Sequence, residues 1–267
     1  MMQVAALNSG SNGNCYYISN GIDAILVDAG LSWRQVNRRA SILGIDLSTV
    51  RGVIISHEHS DHIFGIRGLS KRFGYPFHIT DSTIRAIPLE LPFGAHFPFS
   101  GGEPFQVGTF EIEPIPVSHD AADPHNFVIR SGSHQLGIFT DLGYPNDSVK
   151  QHFKACTAVI LETNYDEQML ESGHYTKSLK QRISGERGHL SNRQALELFL
   201  ECRSPKLSHL FLAHLSAQNN SPQLALSMFK DEAHKTQVIL TSRYGATELY
   251  QIGFPKGGQL SLFESKV

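Results

Sequence analysis

The stretch Val53-Ile54-Ile55-Ser56-His57-Glu58-His59-Ser60-Asp61-His62 decides how this chain is read. It opens with β-branched apolar residues, which read as a buried strand. It then sets four metal-competent side chains, His57, His59, Asp61 and His62, within six residues. Residues 63–73 continue with helical periodicity and stop at Gly74. The cluster therefore lies on a strand-to-helix loop, where functional groups concentrate. His57 and His59 share a face in extended chain, whereas the adjacent Asp61 and His62 point apart. One loop can thus serve two neighbouring ions.

Working outward, three more candidates follow apolar runs: His119 after the run ending at Val117, Asp141 after LGIFT and His214 after LFLA. Strands are expected at Val4–Leu7, Tyr16–Ile18, Ala24–Val27, Val53–Ile55, Phe110–Val117, Phe127–Ile129, Leu136–Phe139, Ala158–Leu161, Leu210–Ala213 and Val238–Leu240. Helices are expected at 32–43, with Ser32 as N-cap, at 63–73, at 192–202 behind a Ser191/Gln194 capping box, and at 222–233 behind Ser221 and Pro222. Strands dominate the first half and alternate with helices in the second. Two sheets covered by helices on the outside follow, an α/β (α+β) architecture.

If the strand ends converge, two sites of three or four ligands need about seven protein groups. His57, His59 and His119 are assigned to one ion and Asp61, His62 and His214 to the other, with Asp141 bridging. The expected cofactors are two divalent metal ions. Zinc suits histidine-rich mixed sites, and the carboxylates also admit manganese. The expected chemistry is hydrolysis, because water loses its proton more readily beside two cations.

Residues 1–250 read as one hydrolase domain and 251–267, with Gly253, Gly257 and Gly258, as a tail. The net charge of −2 and the fourteen histidines favour a metal site over a broadly basic nucleic-acid surface. Three scattered cysteines suggest no disulfide framework, and neither a secretory leader nor a membrane span is legible. A cytoplasmic location is expected.

HEHSDH followed by His, Asp and His at strand ends resembles the metallo-β-lactamase superfamily, over nearly the whole chain to about residue 250. The resemblance implies a four-layer αββα sandwich with metals at one edge, and a bracing role for Asp28. Asp141 stands where several true β-lactamases carry Cys. LETNYD, with Glu162, and RGHLSN, with His189, resemble motifs of the tRNA 3′-processing endonuclease. That resemblance implies His189 as general acid, oriented by Glu162. SGSNGNCYYI, DAGLS, HEHSDH, PVSHDA, TDLGY, LETNYD, SLKQRI, GHLSN and LAHLSAQNN together resemble the YycJ-type or WalJ-type proteins, regarded as DNA exonucleases acting from the 5′ end. The implied function is a metal-dependent phosphodiesterase on DNA, serving repair or replication-linked processing, with Asp61, His189 and Glu162 catalytic. The β-CASP insertion of larger nucleases is absent, since residues 142–213 are too few to hold it. A hydrolase of a thioester, lactone or cyclic phosphodiester, or an RNA-processing nuclease, is the alternative.

Substrate contacts are expected from the small polar loop at Ser9, Ser11, Asn12 and Asn14, which reads equally as a phosphate cradle or a tight turn. Lys177, Lys180 and Arg182 offer phosphate contacts or a solvated helix face, and Ser216 and Asn219 follow His214. In the tail, Gln259, Leu260, Leu262 and Phe263 of QLSLF resemble the peptide by which bacterial repair proteins bind the β sliding clamp.

Overall fold

The computed structural model describes residues 1–87 and 94–253. Alternating and continuous apolar runs build two seven-stranded sheets. The first takes β1 (Gln3–Asn8), β2 (Cys15–Ser19), β3 (Ala24–Val27), β4 (Val50–Ile54), β5 (Phe77–His78) and β6 (His96–Phe97) in that order. The second takes β7 (Phe105–Val107), β8 (Phe110–Pro116), β9 (His125–Ser131), β10 (His134–Phe139), β11 (Ala158–Glu162), β12 (His209–Ala213) and β13 (Gln237–Leu240). A last strand, β14 (Tyr250–Gln251), returns to flank β1.

Nine helices lie among the described residues: α1 (Trp33–Ile42), α2 (Ser60–Ile63), α3 (Ile66–Phe73), α4 (Asp81–Ala86), α5 (Asp147–Ala155), α6 (Glu167–Ser172), α7 (Lys177–Ser184), α8 (Asn192–Cys202) and α9 (Pro222–Lys230). A central core between the sheets includes Tyr16, Ile54, Phe127 and Phe211, all fully buried. The outer face of the second sheet packs against Phe153 of α5, Phe199 of α8 and Phe229 of α9. Val36 of α1 and Leu69 of α3 cover the outer face of the first. This is the expected αββα sandwich. Each fully buried side chain of this size contributes about 1.5–3 kcal/mol.

All ten expected strands are present, with ends shifted by a few residues. The expected helix 63–73 is instead two pieces, α2 and α3. Gly65 interrupts them because its N–H is taken by the Ala29 carbonyl at 2.6 Å. A Cβ there would stand 1.8 Å from the Leu31 oxygen. The helix expected to run to 233 ends at Lys230. Helices α4 to α6 went unread and α7 was read only as an alternative for Lys177, Lys180 and Arg182, although each has a side-chain cap, from Thr80, Asn146, Asp166 and Thr176. They are short, and caps alone did not mark them against the strand pattern.

Strand direction positions the site. β3 and β4 are parallel, as are β10, β11 and β12. β8 and β10 both run antiparallel to β9, so they share a direction. The carboxyl ends of these strands carry Asp28, the 57–62 loop, His119, Asp141, Glu162 and His214 to one edge of the sandwich.

Candidate metal centre

Three of the four non-glycine residues with positive φ among the described residues lie at this edge: Asp28 (62°), Asp141 (55°) and His214 (55°). Asp and His tolerate this region better than most residues, though at a cost of about 1–3 kcal/mol each. The left-handed turn takes the chain abruptly off the strand and leaves the side chain at the sheet edge.

The 57–62 loop is fixed by its backbone. Asn14 N–H donates to the Asp61 carbonyl and Ala29 N–H to the His62 carbonyl, both at 2.7 Å. Gly30 lies so close beneath that a Cβ would come within 1.8 Å of the Asp61 oxygen. This explains the glycine in DAGLS. Asp28 accepts from Ser56 N–H and Oγ, both at 2.9 Å, and from His62 Nδ1 at 2.8 Å. His62 Nε2 is thereby turned toward the cluster, the usual service of a carboxylate behind a ligating imidazole.

The same logic sets the other rings. His119 Nδ1–H donates to the Gly188 carbonyl at 3.0 Å, and His59 Nε2–H to the Asp120 carbonyl at 3.2 Å. The opposite nitrogens, His119 Nε2 and His59 Nδ1, then face each other at 3.3 Å. His57 Nδ1 meets Ser56 Oγ at 2.9 Å, while its buried Nε2 has no hydrogen-bond partner. His57, His59 and His119 form one group whose ligating atoms all lie within 4.8 Å of one another. An ion held tetrahedrally at about 2.0–2.1 Å spaces its nitrogens about 3.3–3.4 Å apart, so these residues fit one.

A second group joins on the other side. His62 Nε2 is 3.3 Å from Asp141 Oδ2 and 3.4 Å from Asp61 Oδ2. His214 Nδ1 is 3.0 Å from Asp141 Oδ1, and its Nε2 is 3.7 Å from Asp61 Oδ2. Asp141 Oδ2 and His214 Nδ1 are buried without a hydrogen bond. The 3.0 Å contact therefore lacks hydrogen-bond alignment, and both atoms are left for something between them. Asp141 also comes within 4.0 Å of His119 Nε2, so it touches both groups.

Electrostatics point the same way. Burial, with His62 nearby, pushes His57 well below the ordinary histidine range. Burial opposes protonation of His62 too, but Asp28, Asp61 and Asp141 outweigh it and push the group well up. Likewise His214 is pushed up to about 9 by Asp141, Glu162 and Asp61 against burial. Asp61 is held at about 2 by His62 and His214, again against burial. The pocket is short of positive charge, and divalent cations would replace those protons.

Glu162 and His189 are paired. His189 Nδ1–H donates to Glu162 Oε1 at 2.6 Å. Glu162 is fully buried, and its other oxygen accepts from Leu142 and Leu190 N–H, both at 3.3 Å. Burial opposes protonation of His189, but Glu162 and Asp141 prevail and raise it. His189 lines an open cleft of about 370 Å³ that also contains Asp61, Asp141, His214, Ser11, Ser216, Tyr175 and Arg182.

The expected substrate contacts divide. Ser11, Ser216 and Arg182 line the cleft, and Arg182 Nε is held by Asp120 Oδ2 at 2.5 Å. Ser9, Asn14 and Asn219 are buried, so they offer a substrate nothing directly. Ser9 Oγ accepts from His214 N–H at 2.8 Å. Asn14 Nδ2 rests against Asp61 Oδ2 at 3.1 Å and His62 Nε2 at 3.0 Å. The 9–14 loop is a tight turn, closed by Gly13 N–H to the Gly10 carbonyl at 2.9 Å. Asn12 holds the Arg243 carbonyl at 2.8 Å. Lys177 is exposed on α7, and Lys180 Nζ is taken by the Glu171 carbonyl. Asp120, Gly188 and Tyr175 were not read from sequence. Asp120 follows His119 directly, and that adjacency was the available signal. Gln259, Leu260, Leu262 and Phe263 lie outside the described residues.

A family model described as the beta-lactamase superfamily domain matches residues 23–214. An exodeoxyribonuclease YycJ of Bacillus anthracis is 32% identical over 254 residues, covering 94% of each chain. The chain belongs to the metallo-β-lactamase superfamily and is a YycJ/WalJ-type member. An exodeoxyribonuclease WalJ of Streptococcus pneumoniae is likewise 32% identical over 225 residues, or 82% of this chain and 83% of that one. Among solved structures, the metallo-β-lactamase fold protein YhfI of Bacillus subtilis superposes with a TM-score of 0.70 at 20% identity. That likeness covers 92% of this chain and 98% of the other, and it speaks for the fold. The metallo-β-lactamase fold and the His/Asp groups at this edge suit the binding of a divalent metal.

Proposed function

We propose that this protein is a metal-dependent exonuclease acting on DNA, with 5′-to-3′ polarity, in repair or replication-linked processing. The observation that carries the reading is the clustering of His57, His59, His62, His119, Asp141 and His214 in overlapping groups of possible ligands, with Asp61 Oδ2 3.4 Å from His62 and 3.7 Å from His214, beside the Glu162–His189 pair. It is supported by the names of two relatives that match most of the chain. His57, His59 and His119 would hold one ion and Asp61, His62 and His214, with Asp141, a second; zinc or manganese suits the donors. Divalent ions bound there would lower the pKa of water and offset negative charge on the phosphate. Asp61 further accepts hydrogen bonds at the mouth of the cleft, where a reacting water is oriented. His189, its Nδ1 committed to Glu162, presents Nε2 for donation to the leaving oxygen. Ser11, Ser216 and Arg182 position the phosphate beside it.

The test is digestion of end-labelled single- and double-stranded DNA with zinc or manganese added. Digestion that a chelator stops and Asp61→Ala abolishes supports the reading. Absence of digestion, with turnover of a thioester or lactone instead, refutes it.

We place this activity in the cytoplasm. No helix among the described residues is long and apolar enough to cross a membrane. The hydrolase domain, placed at residues 1–250, also takes in Gln251 of β14 and the fully buried Ile252, and the chain beyond, through Gln259, Leu260, Leu262 and Phe263, binds the bacterial β sliding clamp. Phe263→Ala abolishes clamp binding by a 255–267 peptide; equal clamp capture by intact and tail-deleted protein contradicts this.

A further inference from the structure

The metal cleft does not end at the metals. Ser216 lines it and also lines a neighbouring groove of about 130 Å³. That groove contains Arg243 and Tyr244, and Tyr244 in turn lines a third concavity of about 190 Å³ with Arg38 and Arg39. The three concavities thus adjoin in series, sharing first Ser216 and then Tyr244. Among the described residues, neither of the two outer ones is lined by a carboxylate, although the whole chain carries a net charge of −2. Among the described residues, the guanidinium groups of Arg38 and Arg243 make no hydrogen bond or ion pair.

At the junction stands Tyr244, 83% exposed, the most exposed large apolar or aromatic side chain in the described structure. Its backbone is nevertheless pinned. Arg39 donates to the Tyr244 carbonyl at 3.3 Å, Asn12 to the Arg243 carbonyl at 2.8 Å, and Ser9 N–H to the Ser242 carbonyl at 3.1 Å. An aromatic ring held out to solvent on a fixed backbone, flanked by uncommitted guanidinium groups, has the two elements that bind single-stranded nucleic acid: a face for base stacking and cations for the phosphates. Fixing the backbone beforehand lowers the ordering cost of binding.

We propose that Ser216, Arg243, Tyr244 and Arg38 form a track for the part of a single-stranded DNA substrate that extends away from the metal centre. Tyr244 stacks a base, and Arg243 and Arg38 meet the phosphates on either side. The proposal rests on the exonuclease reading above and adds to it where the strand lies. The track acts on strands long enough to extend past Ser216, and a dinucleotide serves as the short reference.

The experiment compares kcat/KM for a 5′-phosphorylated 20-nucleotide oligothymidylate and for a thymidine dinucleotide, using full-length metal-loaded protein. In Tyr244→Ala the ratio of long to short falls roughly tenfold, within the range expected for losing one stacked base. Tyr244→Phe keeps the ratio. Arg243→Ala and Arg38→Ala each flatten the salt dependence of the 20-mer KM by about 0.7 in log–log slope. A wild-type protein that cleaves both substrates, with a ratio that Tyr244→Ala leaves unchanged, overturns the track and leaves the nuclease reading standing. A wild-type protein that cleaves neither overturns both.

Discussion

Strand β12 carries a histidine at each end, and the two behave oppositely. His209 opens the strand and His214 follows its last residue; both are buried. His209 Nδ1 meets its neighbour's Ser208 Oγ at 2.8 Å, its ring lies near Phe211 and Tyr250, and burial pushes it down to about 4. His214 sits among Asp141, Glu162 and Asp61 and is pushed up to about 9. Five positions along one strand separate a satisfied core histidine from one set in a cation-seeking pocket. The cause is topological: the parallel strands send their carboxyl ends, and the acidic residues attached to them, to one edge only.

Substitutions at the two ends should separate accordingly. His214→Ala lowers DNA hydrolysis about a thousandfold or more and reduces bound metal, because the ions contribute several kcal/mol to the transition state. His209→Gln keeps metal content and hydrolysis. Equal losses from the two, measured by metal analysis and end-labelled digestion, would erase the contrast. His189→Ala lowers digestion about 10²–10⁴-fold, while a p-nitrophenyl phosphodiester, whose leaving group needs no proton, loses far less. Similar losses on both substrates would remove His189 from the general-acid role. Asp28→Asn, which weakens the grip on His62 Nδ1, costs about 10–100-fold in metal affinity, read by competition with a chromogenic chelator.

The smallest effect lies at the His209 end and concerns pH. A histidine with a folded pKa near 4 and an ordinary value of 6.5 takes up its proton first in the unfolded chain. Stability present above about pH 6.5 is therefore lost as pH falls toward 4, by at most about 1.4 kcal/mol per pH unit for one proton. Urea unfolding of metal-free protein between pH 7 and 4 should show a shallower decline in His209→Gln than in wild type. Parallel declines would show that His209 is not buried in its neutral form.

Much of this was legible because strand-end position is written in the order of residues. His119, Asp141 and His214 each follow an apolar run, and that position marked them as ligand candidates; His209, which the structure shows to be a core histidine, precedes its run instead. The Glu162–His189 pair was legible only through resemblance, since 27 residues part its members. Ser9, Asn14 and Asn219 show the limit. Small polar residues in a Gly-rich loop, or in the stretch after His214 that holds Asn219, read alike as substrate contacts and as structural turns, and only packing showed that these three are buried. Gly188 orients His119 through its carbonyl, which every residue has and no letter reports.

On the proposed reading, seven side chains from two sheets enclose a pair of divalent ions. Anomalous diffraction from crystals grown with manganese tests it most directly. Two peaks are predicted, one among His57, His59 and His119 and one among Asp61, His62 and His214, with Asp141 between them. A single peak, or peaks away from the 57–62 loop, would contradict it.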